Sequence, residues 1–219
     1  MVKHTDSSFL CIEPNDIFYA LLERNVKRIK EHCNNSIKIY QSFVSQVSDE
    51  MYEMNVHGGT AYKVKSNGTS SVPSFTLMDC LKVNGVDVAS VDVIKVDTDG
   101  YDYECILGMG DNLKNISPIL FWENAFEDGG KEKAFAGYSK LGKYLKAMQY
   151  ARFWIFDNFG NFLCECDYKV YENLNDYLRR LSELKTGTTF YYIDVIACKE
   201  DKVESVRHNV NEYCKSFER

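Results

Sequence analysis

The strongest constraint on the fold is an apolar, β-branched segment that ends on acidic residues and leads directly into a helix. Residues 91–96 have the composition of a buried strand, and Asp97-Thr98-Asp99-Gly100 follows at once. Residues 101–108 then predict a helix that is closed by a glycine. A strand that ends on carboxylates before a helix is typical of α/β proteins, in which ligands bind outside the carboxyl ends of the strands.

Two further predicted strands also end on an acid. Residues 8–12 form a short apolar segment before Glu13, and the apolar segment at 118–122 is followed by Glu123. In an open α/β sheet the carboxyl ends of the strands lie along one edge, so we expect Glu13, Asp97 and Glu123 to share that edge. Three such acids together predict a binding site there.

The order of predicted elements supports an α/β class and a single domain. A helix at 17–32, with apolar residues on one face, and a strand at 37–40 follow the first strand, at the lengths of a βαβ unit. Helices are also predicted at 133–148 and 171–184, with a late strand at 189–197. The 219 residues, 45% of them hydrophobic, suit one domain with a sizeable core.

Composition narrows the function classes and the compartment. The net charge of −6 argues against a nucleic-acid-binding protein, and no apolar run approaches the roughly 20 residues of a membrane-spanning helix. The eight cysteines include no Cys-x-x-Cys pair and the four histidines lack metal-ligand spacing, so we expect no metal site. Cysteines used as small buried residues indicate a reducing, cytoplasmic setting. Cys164 and Cys166, the one close pair, would share a face of a strand.

The acids have alternative interpretations that the residues leave open. Glu13 suits either a ribose diol or the positive end of the following helix. Asp97 and Asp99 do not fit a calcium loop, since a loop with Gly100 at its sixth position has isoleucine instead of glutamate at its twelfth. They resemble the Asp-x-Asp motif of metal-dependent glycosyltransferases. Asp99 also suits the cap of the helix at Tyr101.

Longer stretches of the chain resemble one family. Glu13-Pro14-Asn15 with the later Arg24-Asn25-Val26 is similar to the "EPn…rNv" stretch of FkbM-family methyltransferases. Residues 76–81 resemble its "tLDdll", residues 95–108 resemble its "KiDvEGaEleVLkG", and residues 118–123 resemble its "P.i.fE". The resemblance extends from about Phe9 to Glu123, and the block at 95–108 is its most specific part.

The resemblance implies a Rossmann-like, class I methyltransferase fold that binds S-adenosylmethionine. Such a fold is a three-layer α/β sandwich with a mostly parallel sheet and a C-terminal antiparallel hairpin. Residue by residue, it implies that Glu13 binds the cofactor ribose and that Val44 and Ser45 lie near the adenine. It places Asp97 beside the methionine moiety, and Asp99 and Glu123 on the side of the methyl acceptor. The expected reaction is O-methylation of a sugar or another small molecule, with Asp97 or Asp99 as the base.

Two features depart from the family pattern. Asp99 and Asp102 replace the usual glutamates, which preserves the charge. The family's first strand and glycine-rich turn would precede Ser8, where this sequence has seven residues and no glycine. We therefore expect either a truncated chain or a family member that has lost part of the cofactor site and acts only as a binding module. A metal-dependent glycosyltransferase that uses Asp97 and Asp99 is a further alternative.

Overall fold

The structure is a computed structural model that describes residues 7–57, 60–65, 68, 71–126, 131–184 and 192–217. The chain divides into two compact units, Met1–Val86 and Asp87–Arg219. The single domain expected from the sequence stays a prediction.

The first unit opens with the predicted strand, helix and strand. They are β1 (Ser8–Ile12), α1 (Asp16–Lys30) and β2 (Ser36–Tyr40). β1 and β2 pair in parallel, from Ser8 opposite Ser36 to Ile12 opposite Tyr40, as a βαβ unit requires. The side chain of Asn15 accepts hydrogen bonds from the backbone N–H groups at the start of α1. Asn15 is therefore the N-cap of α1.

A second sheet completes the first unit. Its elements are β3 (Phe43–Val44), β4 (Met51–His57), β5 (Thr60–Lys65) and β6 (Val72–Phe75), and α2 (Leu77–Val83) follows. The strand order is β3-β6-β4-β5, with β3 parallel to β6 and β4 antiparallel to both β5 and β6. The hydroxyl oxygen of Thr76 accepts a hydrogen bond from the N–H of Asp79 and caps α2.

The second unit contains the acid-rich loop and one five-stranded sheet. Its elements are β7 (Val93–Lys95), α3 (Asp102–Leu107), β8 (Ile119–Ala125), α4 (Lys131–Ala147), β9 (Tyr150–Asp157), β10 (Phe162–Cys166), α5 (Tyr168–Glu183), β11 (Tyr192–Lys199) and α6 (Val203–Lys215). The strand order is β10-β9-β11-β8-β7. The helices and strands predicted in this unit fall on these elements, with ends that differ by a few residues, and positions 189–191 of the predicted late strand lie outside the described residues.

Strand direction differs from the expectation. In the second unit β7 and β8 are parallel, whereas β11 lies between β8 and β9 and is antiparallel to both. β9 and β10 form an antiparallel hairpin, in agreement with the predicted C-terminal antiparallel strands. The chain is therefore α/β with mixed sheets, and a mostly parallel sheet is not what the described residues form. The short connection from β9 to β10 enforces this, because a parallel crossover needs a dozen or more residues.

Helices cover both faces of the sheet in the second unit. On one face Tyr171 of α5 stacks on Phe153 with ring centroids 4.8 Å apart and meets the edge of Trp122. On the other face the valines of α6 pack against Trp154 and Phe156. Side chains alternate along β8, so Trp122 and Asn124 face α5 while Phe121 and Glu123 face the opposite side. The carboxylate of Glu123 is thereby kept out of the aromatic core.

Two observations concern a membrane span and the use of the cysteines. No helix among them is long and apolar enough to cross a bilayer. The eight cysteines form no disulfide, and four of them are buried. Cysteines with this burial act as small hydrophobic side chains, as the sequence predicts.

Candidate functional site

The loop after β7 is shaped by two residues with left-handed backbone. Asp99 has φ of +49° and Gly100 has φ of +93°. Glycine adopts such a conformation without steric cost, and aspartate tolerates it better than most residues. The chain can therefore turn sharply between β7 and α3. This turn leaves Asp97 and Asp99 exposed at the end of the strand.

Asp102 connects this loop to the neighbouring strand β8 through hydrogen bonds. Its side chain is fully buried. Oδ1 accepts hydrogen bonds from the N–H of Thr98, at 2.8 Å, and from the Thr98 hydroxyl, while Oδ2 accepts the N–H of Glu123 at 2.8 Å. Burial raises the pKa of Asp102 to about 6 although these hydrogen bonds lower it. One buried carboxylate thus holds the ends of β7 and β8 together.

The predicted capping role of Asp99 is wrong. The first turn of α3 follows Tyr101 and carries no side-chain cap. With left-handed backbone, Asp99 precedes the turn, and the carboxylate that bonds backbone groups in this loop is Asp102. The two aspartates cannot be distinguished by sequence alone, because both are acids beside the same helix start.

Glu123 and Asp194 lie directly opposite each other. Asp194 of β11 is the register partner of Glu123 of β8, so their side chains share a sheet face. Burial, and after it the negative charges of Asp102, Asp194, Asp97 and Asp99, together raise the pKa of Glu123 to about 8. Burial also raises the pKa of Asp194. A carboxyl group with a pKa near neutrality can both hold and release a proton there.

Asp194 was missed by sequence reasoning. It is the one charged residue between Tyr192 and Ala197 in an otherwise apolar strand, and that is the signal which could have identified it. Asp194 lies opposite Glu123 because β11 pairs with β8 in this register. The two residues are about seventy positions apart in the chain. Periodicity carries no information about that register.

Lys95 supplies the positive charge of this edge. Its Nζ lies 2.5 Å from Oδ2 of Asp97 and 5.4 Å from the ring centroid of Phe121. Its charge also lowers the pKa of Asp194, against the effect of burial. Asp99 has a pKa raised by burial and by the charge of Asp97. The structure therefore brings Asp97, Asp99 and Glu123 together, with Asp102 and Asp194, at one edge of the second unit.

Glu13 belongs to the first unit and sits at the carboxyl end of β1. Its Oε1 accepts the N–H of Asn15 at 2.8 Å, and its own N–H donates to the carbonyl of Tyr40 at 3.2 Å. Within the described residues its Oε2 makes no hydrogen bond. Burial raises the pKa of Glu13 despite the hydrogen bond from Asn15. A half-buried carboxylate with an unengaged oxygen can accept hydrogen bonds from a diol.

Val44 and Ser45 also lie in the first unit. Val44 is the last residue of β3 and is half-buried. Ser45 is 2% exposed, and its N–H donates to the carbonyl of Phe75 at 3.0 Å. Ser45 is therefore fixed by its backbone, which leaves Val44 as the more accessible of the two.

A metal centre finds no support in the described part of the chain. There, no group of three or more His, Cys, Asp or Glu side chains is placed to hold a metal ion. The carboxylate of Asp97 is engaged by the ammonium group of Lys95 instead. These observations do not favour the glycosyltransferase alternative.

The fold and the site together define an α/β protein with carboxylates at the carboxyl ends of its parallel strands. A family model described as the methyltransferase FkbM domain matches residues 2–170. The chain therefore belongs to the FkbM methyltransferase family, and the resemblance read from its motifs is confirmed. Neither the curated proteins nor the solved structures contain a significant match.

Proposed function

We propose that this methyltransferase uses S-adenosylmethionine to methylate a hydroxyl group on a sugar or another small molecule in the cytoplasm. One observation carries the choice of a hydroxyl acceptor. Glu123 has a pKa near 8 and, within the described residues, its carboxyl group accepts no hydrogen bond. A base with a pKa close to the working pH is well suited to take a proton from an attacking hydroxyl.

The carboxylate of Glu13 in the first unit offers the acceptor that a cofactor ribose requires. Glu13 offers Oε2 to the two ribose hydroxyls while Asn15 orients Oε1. Val44 and Ser45 are proposed to contact the adenine and Asp97 the methionine moiety, as the family resemblance implies. When bound, S-adenosylmethionine supplies a methyl group on a positively charged sulfur.

The residues of the second unit have separate roles in the proposed reaction. Glu123 takes the proton of the acceptor hydroxyl, and Asp99 accepts a hydrogen bond that orients the acceptor. Asp97 and Asp99 were the bases expected from the sequence. Glu123 is better suited because the carboxylate of Asp97 is already engaged by the ammonium group of Lys95 at 2.5 Å, whereas the raised pKa of Glu123 suits a general base. Methyl transfer is an in-line displacement, so holding the attacking oxygen in line is the main task.

Cofactor binding gives the first test. Isothermal titration of the full chain with S-adenosylhomocysteine is expected to show one site, and Glu13→Gln is expected to weaken it about tenfold or more. The substitution removes a charge-assisted hydrogen bond, which contributes about 1.5–3 kcal/mol. Glu23→Gln, an exposed substitution on α1, is the matched control and should bind as the unmodified chain does.

The same titration separates the alternatives. Binding should be indifferent to EDTA, whereas manganese-dependent binding of a nucleotide sugar would establish the glycosyltransferase alternative instead. Tight binding without methylation of any tested saccharide would indicate a binding module. No heat of binding at any concentration would overturn the proposal for this chain.

A further inference from the structure

A pair of thiols lies on the strand at the far edge of the sheet in the second unit. Cys164 and Cys166 alternate with Glu165 along β10, whose register with β9 is regular from Cys164 to Cys166. The carboxylate of Glu165 binds Arg207 of α6. The two cysteines therefore lie on the opposite face of the strand, towards α5.

The pair opens onto a cavity of about 370 Å³. It is lined by Arg152, Cys164, Glu165, Cys166, Asp167 and Val170. Cys164 is half-buried and Cys166 is 8% exposed. A small molecule that enters the cavity meets Cys164 first and Cys166 behind it, beside the apolar side chain of Val170.

Strand geometry favours a bridging atom over a disulfide. Residues i and i+2 of a strand have Cα atoms roughly 6.6 Å apart, at the long end of the disulfide range, and a disulfide needs Cβ atoms only about 3.5–4.5 Å apart. Two sulfurs that share a third atom at bonds of about 2.3 Å stand roughly 3.8 Å apart. Two side chains that leave the same face of a strand, two residues apart, can reach that separation by rotation about χ1, so one bridging atom can join them without a change of backbone.

The surroundings select the kind of bridging atom. No third His, Cys, Asp or Glu of the described chain joins the pair in a metal-binding group. An atom bound between these two thiols must therefore need only two protein ligands. Its third substituent must already belong to the bound molecule. Burial raises the pKa of the Cys166 thiol to about 12, which disfavours cations that need two thiolates. An uncharged compound that condenses with the protonated thiols does not require free thiolates, so the raised pKa of Cys166 does not oppose its binding.

We propose that Cys164 and Cys166 form a binding site for trivalent arsenicals that carry one organic group. The organic arsenoxide condenses with both thiols: the arsenic–oxygen bond and two S–H bonds break, two As–S bonds form, and the oxygen leaves with both protons as water. Neither arsenic nor sulfur changes oxidation state. The organic group occupies the cavity against Val170.

Phenylarsine oxide is the probe that tests this site. The reduced full-length protein is treated with one equivalent in the presence of excess 2-mercaptoethanol, which removes adducts held by a single thiol. We expect one phenylarsenic adduct by intact mass, located by peptide mapping to the segment with Cys164 and Cys166 and released by 2,3-dimercaptopropanol. Cys164→Ser and Cys166→Ser should each abolish it, and Cys214→Ser, a half-buried cysteine of α6, should retain it.

Several results would overturn the proposal. One is a dithiol-sensitive adduct that maps to other cysteines, or that persists in both variants. Another is ready formation of a disulfide between Cys164 and Cys166 with oxidised glutathione, which would contradict the strand geometry. Circular dichroism checks that the variants fold, and the peptide map of the unmodified chain answers the question independently of them.

Discussion

Asp102→Ala is expected to lower the free energy of unfolding by about 3 kcal/mol. The substitution leaves two backbone N–H groups, those of Thr98 and Glu123, without the acceptor that now binds both at 2.8 Å. Each buried unsatisfied donor costs about 1–3 kcal/mol. The cost falls at the junction of β7 and β8, so it should appear in global unfolding. Urea denaturation followed by circular dichroism measures it.

The control for this variant is Asp111→Ala. Asp111 is also an aspartate beside a helical turn, but its side chain is 82% exposed and pairs only with Lys114. Such a surface pair contributes little, so the change should stay within about 0.5 kcal/mol. Equal stability of the two variants would contradict the role given to Asp102.

The stability of the unmodified chain relative to Asp102→Asn is expected to depend on pH, and this is an independent prediction. The pKa of Asp102 is raised from 3.8 in the unfolded chain to about 6 in the folded protein, so the folded state binds the proton more tightly. This contribution to stability is fully present below about pH 4 and is lost as the pH rises through 6. The stability of the unmodified chain should therefore fall relative to Asp102→Asn between pH 4 and pH 7. An unchanged difference over this range would show that Asp102 titrates normally.

Local chemistry explains why so many elements of this fold can be predicted. α1 has an asparagine cap and one apolar face, and the short apolar strands end where an acid or a glycine begins. These signals act within a few residues, so they appear directly in the sequence. The family motifs likewise cover contiguous stretches, and the match to residues 2–170 confirms what they indicate.

The features of the fold and the site that the sequence did not predict depend on contacts between residues distant in the chain. The insertion of β11 between β8 and β9 turns a sheet expected to be mostly parallel into a mixed one. The same insertion places Asp194 opposite Glu123. Asp102, and not Asp99, bonds the backbone of the loop because of a left-handed turn at Asp99 and the burial of the Asp102 side chain. Each of these outcomes is decided by packing, which a single sequence does not display.

Glu123→Gln is expected to lower kcat/KM for methyl transfer by about 10²–10⁴, the usual contribution of a general base. This expectation rests on the proposed function. Binding of S-adenosylhomocysteine should be unchanged, because the proposed cofactor contacts are made by other residues. Transfer of a labelled methyl group to a panel of mono- and disaccharides measures the rate. In the unmodified enzyme the rate should rise with pH through about 8, as Glu123 loses its proton, and the variant should lack that rise.

Asp194→Asn tests the cause of the raised pKa without removing the base. The negative charge opposite Glu123 raises its pKa, so its removal should move the rise in rate to lower pH. The titration can also be followed with no acceptor, by the carbon-13 shift of the Glu123 carboxyl group in labelled protein. A midpoint near the ordinary glutamate value would contradict the proposed base. A midpoint near 8 that falls in Asp194→Asn would show that the facing carboxylate adds to the effects of burial and of Asp102, and so helps Glu123 to keep a proton at neutral pH.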